Sequence, residues 1–301
     1  MVKTAGMKVK ESFGDRIFNI INYTVLSIAL LVVIYPLYFI VIASFSDPNA
    51  VNAGKVILFP VDITWSGYER ILGFEKLWTG YGNTIFYTVF GTMINITLTL
   101  TGAFALSKKG VSGRKFFMLM ITFTMIFGGG LIPRYLLVKD LGLTNTRWAL
   151  MIPNAMSVMN LIIARTFFEQ TIPNELYEAA YIDGCSNTKC FFQIVLPLSS
   201  AIIAVVTLYY AVEHWNAFFD AFIFLKDPKL FPLQVILREI LIANQAQLDM
   251  MGDIESMIEQ QKAAELIKYG IIIAATLPIL MVYPFLQRYF VKGVMIGAVK
   301  G

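Results

Sequence analysis

An all-α membrane protein with six spanning helices is the fold class this sequence predicts, and three observations predict it. Hydrophobic residues fill 57% of 301 positions, charged residues 15%, and mean hydropathy is +0.67, whereas soluble domains sit nearer half apolar and a quarter charged. Runs without charge are long enough to cross a bilayer: a core of about 30 Å takes roughly 20 apolar residues as helix, and residues 17–46 and 77–107 carry no charge. Alternating strands of the membrane-barrel kind are absent, which leaves helices as the spanning structure.

In chain order, residues 1–16 form a basic tail with Lys3, Lys8, Lys10 and Arg16. The apolar run behind it is longer than the 7–15 residues of a cleaved signal peptide, so it reads as a retained first span. Residues 47–80 contain Phe59-Pro60 and Trp65-Ser66-Gly67-Tyr68 and predict an irregular outer loop with a short helix near 68–72. Span two covers 77–107, and the Gly- and Ser-rich turn 107–114 makes a tight hairpin into span three, 116–133. Gly128-Gly129-Gly130 and Pro133 end or interrupt that span. Two readings are open there, a loop start at the outer surface or a kink beside a substrate path. Span four covers 148–164, span five 195–225 and span six 269–287. Between the last two, Leu233, Ile236, Leu237, Ile240 and Leu241 make an amphipathic stripe. It fits a helix on the outer membrane surface or capping a cavity, and the acidic stretch 249–265 predicts a second helix.

Short-loop Lys and Arg set the orientation. The N-terminal tail, the hairpin with Lys108, Lys109, Arg114 and Lys115, and the C-terminal Arg288, Lys292 and Lys300 all belong on the cytoplasmic side. Arg134, Lys139 and Arg147 then lie outside, against the rule. The resulting organisation is a cytoplasmic tail 1–16, a six-helix membrane domain 17–292 and a C-terminal tail 293–301. Its two long inserts are a cytoplasmic loop 173–197 and an extracytoplasmic loop 226–268. Cys185 and Cys190 both sit in the cytoplasmic loop and imply neither a disulfide framework nor a metal site. The net charge of +4 includes no tract suited to nucleic acid.

The loop 173–197 is the most informative segment. Pro173 suits a helix start, and Glu175 complements the dipole of the helix 174–182. Leu176, Ala179 and Ala180 supply a small apolar face that admits a partner's groove, Asp183-Gly184 break the helix, and Ser186 or Asn187 caps the next one. Pro197 marks the junction with span five. The plainer alternative is an ordinary interfacial helix pair. Glu178-Ala179-Ala180 with Asp183-Gly184 and Leu196-Pro197 resembles the ATPase-coupling loop of binding-protein-dependent ABC importer permeases. Further similarity to maltose-type sugar permeases runs through Thr146-Arg147-Trp148-Ala149-Leu150, His214-Trp215-Asn216, Phe231-Pro232-Leu233-Gln234 and the ending Gln287 to Gly293 and Gly297 to Gly301. It is nearest the Gram-positive branch that takes up oligosaccharides or polysaccharide fragments.

The resemblance implies a type-I importer permease fold that does no chemistry of its own. It also implies a second permease chain, two ABC ATPase subunits that bind ATP and Mg, and an extracytoplasmic solute-binding lipoprotein. No G-x-x-x-x-G-K-[ST] phosphate loop occurs in the chain, so an ATPase must be borrowed.

Glu213, His214 and Asp220 lie in or near the end of span five, flanked by Tyr209, Tyr210, Trp215 and Asn216. Ionisable groups at membrane depth point to function, and aromatic faces with polar groups suit sugars. An interfacial aromatic belt is the alternative. His214 is the sole histidine and makes no metal site alone. An ion-coupled secondary transporter using these three groups as proton carriers is the competing function, though such folds show paired broken helices in repeated halves. A membrane enzyme would need a nucleophile or metal cluster that the sequence lacks.

Overall fold

The computed structural model describes residues 12–250, 267–281 and 284, and contains no strand among them. The chain divides into two compact units, Met1–Arg70 with Met250–Ile273, and Ile71–Asp249 with Ala274–Gly301.

In the first unit, α1 (Phe13–Ser44) opens on a capping box in which Ser12 and Asp15 exchange side chain and backbone bonds. Of its 32 residues, Ile42, Ala43 and Ser44 are buried. They anchor α2 (Pro48–Asn52) through a cluster of Ile42, Ala50 and Val56. Helix α3 (Ser66–Leu72) is held at its start by Tyr68, whose hydroxyl donates to Ser44 Oγ at 2.8 Å while its ring stacks on Phe45. The short helix expected near 68–72 is therefore present and begins two residues earlier.

The second unit is built on one long helix, α4 (Glu75–Phe86) and α5 (Thr92–Ser107), joined without a break by a π-helical turn at Tyr87–Gly91. Helix α5 packs most extensively on α9 (Val158–Thr171). Ala103 and Ala164, both wholly buried, line that core, as small residues do where helices approach closely in membranes. The expected span three is α6 (Arg114–Ile126), then an interruption at 127–130, then α7 (Leu131–Asp140) turned by 115°. At the triple glycine α6 ends, and the chain turns sharply before α7 begins. Gly130 takes φ +83°, and Pro133 sits in the first turn of α7, where its absent N–H costs little.

Expected span four is likewise two pieces, α8 (Trp148–Met151) and α9. The loop 173–197 contains α10 (Asn174–Ile182), α11 (Asn187–Cys190), a π-helical turn at Phe191–Val195 and α12 (Leu196–Leu198). An 85° bend then leads into α13 (Ser200–Trp215), so the apolar run 195–225 is not a single helix. Short helix α14 (Phe219–Phe224) follows, and α15 (Leu233–Met250) buries Leu233, Val235, Ile236 and Leu237. The stripe of α15 docks on the unit itself: Leu233 N donates to Thr84 Oγ1 at 2.8 Å, and Gly80 of α4 leaves no room for a Cβ against Ile236.

Among the described residues two helices, Phe13–Ser44 and Glu75–Ser107, are each long and apolar enough to cross a membrane, and the number rises to four if each of the two bent pairs is one span. Helix α16 (Ile267–Met281) is a shorter apolar one inside expected span six. The expected acidic helix beyond Met250, the basic tail before Ser12 and the terminal similarity after Pro284 lie outside the described residues.

Candidate functional site

Two places in the second unit carry the residues singled out above. The first is the protruding segment 173–197. Its α10 ends in a Schellman motif: Gly184 N donates to Tyr181 O at 3.0 Å and Cys185 N to Ala180 O at 2.9 Å. That motif needs a left-handed residue, and Gly184 supplies it at φ +74°. Ser186 rather than Asn187 caps α11, by accepting from Lys189 N, and Asn187 Oδ1 accepts instead from the Tyr181 hydroxyl at 2.7 Å. The apolar face expected from Leu176, Ala179 and Ala180 is split. Leu176 and Ala179 are exposed, whereas Ala180 turns inward beside Tyr177. Glu178, Asp183, Gly184 and Pro197 are exposed, and Leu196 is half-buried against the core. Burial of Tyr177, Ala180, Cys190 and Phe191 fixes the knob to the body. Ile182, Asp183 and Gly184 at its tip are exposed, and their backbone is held by bonds back into α10.

The second place is a cleft of about 370 Å³ where α13 ends, lined by Leu150, Asn154, Glu213, His214, Asn216 and Asp220 together with the 217–219 turn. Four of the expected residues, Glu213, His214, Asn216 and Asp220, converge on it. Tyr210 and Trp215 do not. Tyr210 OH is bonded to Thr99 Oγ1 at 2.6 Å and accepts from Ser157 N at 2.9 Å, and Trp215 Nε1 donates to Ala275 O at 3.0 Å. Both tie helices together. Tyr209 is exposed.

Three residues that sequence reasoning missed organise the cleft. Asp220 Oδ2 accepts from Arg134 at 2.7 Å and from Asn154 Nδ2 at 2.6 Å, and Arg134 also donates to Asn154 Oδ1 at 3.1 Å. Asn95 Nδ2 donates to Asn154 O at 2.8 Å, which leaves its Oδ1 to accept from His214 Nε2 at 2.6 Å. His214 is therefore a proton donor at Nε2. One connected network thus runs from α7 through α14 and the 152–157 segment to α5 and α13. Such networks hold geometry firmly when every member is satisfied. Arg134 had no signal beyond its odd placement on the outer side, and single Asn residues in apolar runs have none until the fold joins them. Among the described residues no cluster of His, Cys, Asp or Glu is arranged to hold a metal ion.

Comparison with known proteins agrees with this architecture. Residues 77–296 match the family described as binding-protein-dependent transport system inner membrane component. The polygalacturonan/rhamnogalacturonan transport system permease protein YtcP of Bacillus subtilis is 39% identical over 288 residues, covering 95% of this chain and 99% of that protein. Protein LplC of the same organism is 39% identical over 288 residues, covering 96% of each. Among solved structures, a bacterial ABC transporter that imports the acidic polysaccharide alginate matches with a TM-score of 0.83 at 37% identity, covering 93% of this chain and 99% of that one. A type-I ABC importer permease fold and an ABC permease role follow, and the ion-coupled alternative is not favoured.

Proposed function

The chain belongs to the family of binding-protein-dependent transport system inner membrane components, and we propose that it is one of two permease chains in an ATP-driven importer of oligosaccharides. Fragments of acidic polysaccharides are the substrate class, and the observation that carries this is full-length similarity to a polygalacturonan/rhamnogalacturonan permease. Two ABC ATPase subunits bind ATP and Mg, and an extracytoplasmic solute-binding lipoprotein delivers the sugar. The chain is a multi-pass protein of the bacterial cell membrane with both termini cytoplasmic. Its six spans lie within residues 17–292, between the tails 1–16 and 293–301 and with 226–268 outside.

The knob seats in an ATPase groove through Glu178, Ala179, Asp183 and Gly184, while Ala180, Leu196 and Pro197 brace it from behind. The exposed tip held by a rigid Schellman turn supports this role. The 85° bend before α13 lets motion of the knob swing the helix that carries Glu213, His214 and Asn216. In the cleft, Glu213 and Asn216 face sugar hydroxyls, Phe218 and Phe219 offer ring faces to the apolar side of a pyranose, and Asp220 is held ready by Arg134. Tyr210 and Trp215 act one step removed, by holding α13 in place, and Tyr209 is exposed beside them. No bond-making step is assigned to the chain.

Reconstituted with its partners in proteoliposomes, the complex should accumulate an oligogalacturonide only when ATP and the binding protein are supplied. Uptake that persists with a hydrolysis-deficient ATPase and follows an ion gradient would overturn the reading.

A further inference from the structure

Lys108 closes the C-terminal end of α5, and its ammonium does something unusual for a surface lysine. The Nζ atom is buried and has no hydrogen-bond partner among the described residues. It lies 2.8 Å from the centroid of Tyr177, 4.8 Å from Phe104 and 5.6 Å from Tyr181. Two of those rings belong to α10 and one to α5. A desolvated ammonium is costly unless something replaces water, and ring faces do so most strongly when water is excluded. Burial pulls Lys108 down to about 8, against the opposing influence of Cys190, and pushes the Tyr177 hydroxyl up to about 12. That hydroxyl is itself buried without a partner among the described residues, so the ring, and not the O–H, is what Tyr177 contributes here.

The far end of this contact is the cleft. Helix α5 runs unbroken from Ser107 back to Thr92 and carries Asn95, which bonds both Asn154 and His214. We propose that Lys108, clamped in the rings of Phe104, Tyr177 and Tyr181, is the positioning residue through which α10 drives α5 and so reshapes the cleft. This rests on the assignment of 173–197 as the ATPase-coupling loop. It adds a second route to the substrate site, beside the covalent one through α12 and α13.

The test uses the whole reconstituted complex and reads substrate transported per ATP hydrolysed in K108M, Y177L, Y177F and the double variant K108M/Y177L, with G184W as a reference. K108M and Y177L are each expected to lower that ratio about tenfold or more while hydrolysis and assembly persist, since the lost cation–ring term is of that size. Y177F should behave as wild type, and the double variant should be no worse than either single one. A wild-type ratio in K108M, equal damage from Y177F and Y177L, additive losses, or failure of K108M to assemble would each overturn the joint. Normal uptake by G184W would remove the coupling assignment itself. Loss of uptake in G184W with a normal K108M ratio removes only the joint.

Discussion

Gly91 shows how one absent methyl group sets the cleft. A Cβ at that position would fall within 3.0 Å of three atoms of the His214 ring. The Nε2 edge of the imidazole therefore packs against the backbone at Gly91, and from there Nε2 bonds Asn95. Alanine ordinarily gains about 1 kcal/mol over glycine inside a helix. Here the buried ring would have to move and break its bond to Asn95, and overpacking with a lost buried hydrogen bond costs about 2–4 kcal/mol. Gly91→Ala is thus expected to lower the thermal transition of the purified complex and weaken uptake. An unchanged or raised transition would show that His214 is free to turn away. The sequence marked His214 and Asp220 because charge-capable groups are rare at membrane depth. It gave no sign of Gly91, Asn95 or Asn154, since Asn95 meets residues 119 and 59 positions away, Asn154 meets one 66 away, and Gly91 meets the same distant His214.

At the scale of elements, the knob separates backbone strain from docking. A Cβ on Gly184 meets nothing within 4 Å, so the chain itself offers no steric objection to any side chain there. What it does impose is φ +74°, which costs an L-residue about 1–2 kcal/mol. Gly184→Ala should therefore keep most of the transport activity, whereas Gly184→Trp should insert and fold normally yet abolish uptake, because only an opposing ATPase surface can reject the indole. Equal uptake in both variants would leave the tip without a docking role. The knob was legible in sequence because its Pro, Gly, Ser and small apolar residues act locally. The inward turn of Ala180 was not, because which side of a short helix faces the body depends on where α11 and the π-helical turn return.

For the whole molecule, the distribution of exposed apolar surface carries the argument. Residues of α1 between Phe13 and Val41 expose large side chains almost without interruption, among them Ile20, Leu31, Val32 and Leu37, and α6 buries none of its residues. Surface of that extent calls for lipid or another chain. Co-expression with the second permease chain should accordingly raise the yield of monodisperse protein in mild detergent. Equal behaviour of the chain alone and in company would count against a two-permease assembly.

Composition and charge-free run length by themselves determined a helical membrane protein, because the bilayer leaves no other way to satisfy the backbone over that many apolar residues. Local turn chemistry placed the short helices and the glycine turn of 173–197, because its signals act over a few neighbours. Tertiary structure alone decided that the third and fifth apolar runs are bent, at 115° and 85°. It also decided that Tyr210 and Trp215 serve packing while Arg134, Asn154 and Asn95 organise the cleft. Hydropathy is a property of each segment, whereas a bend or a polar network depends on which segments come to lie side by side.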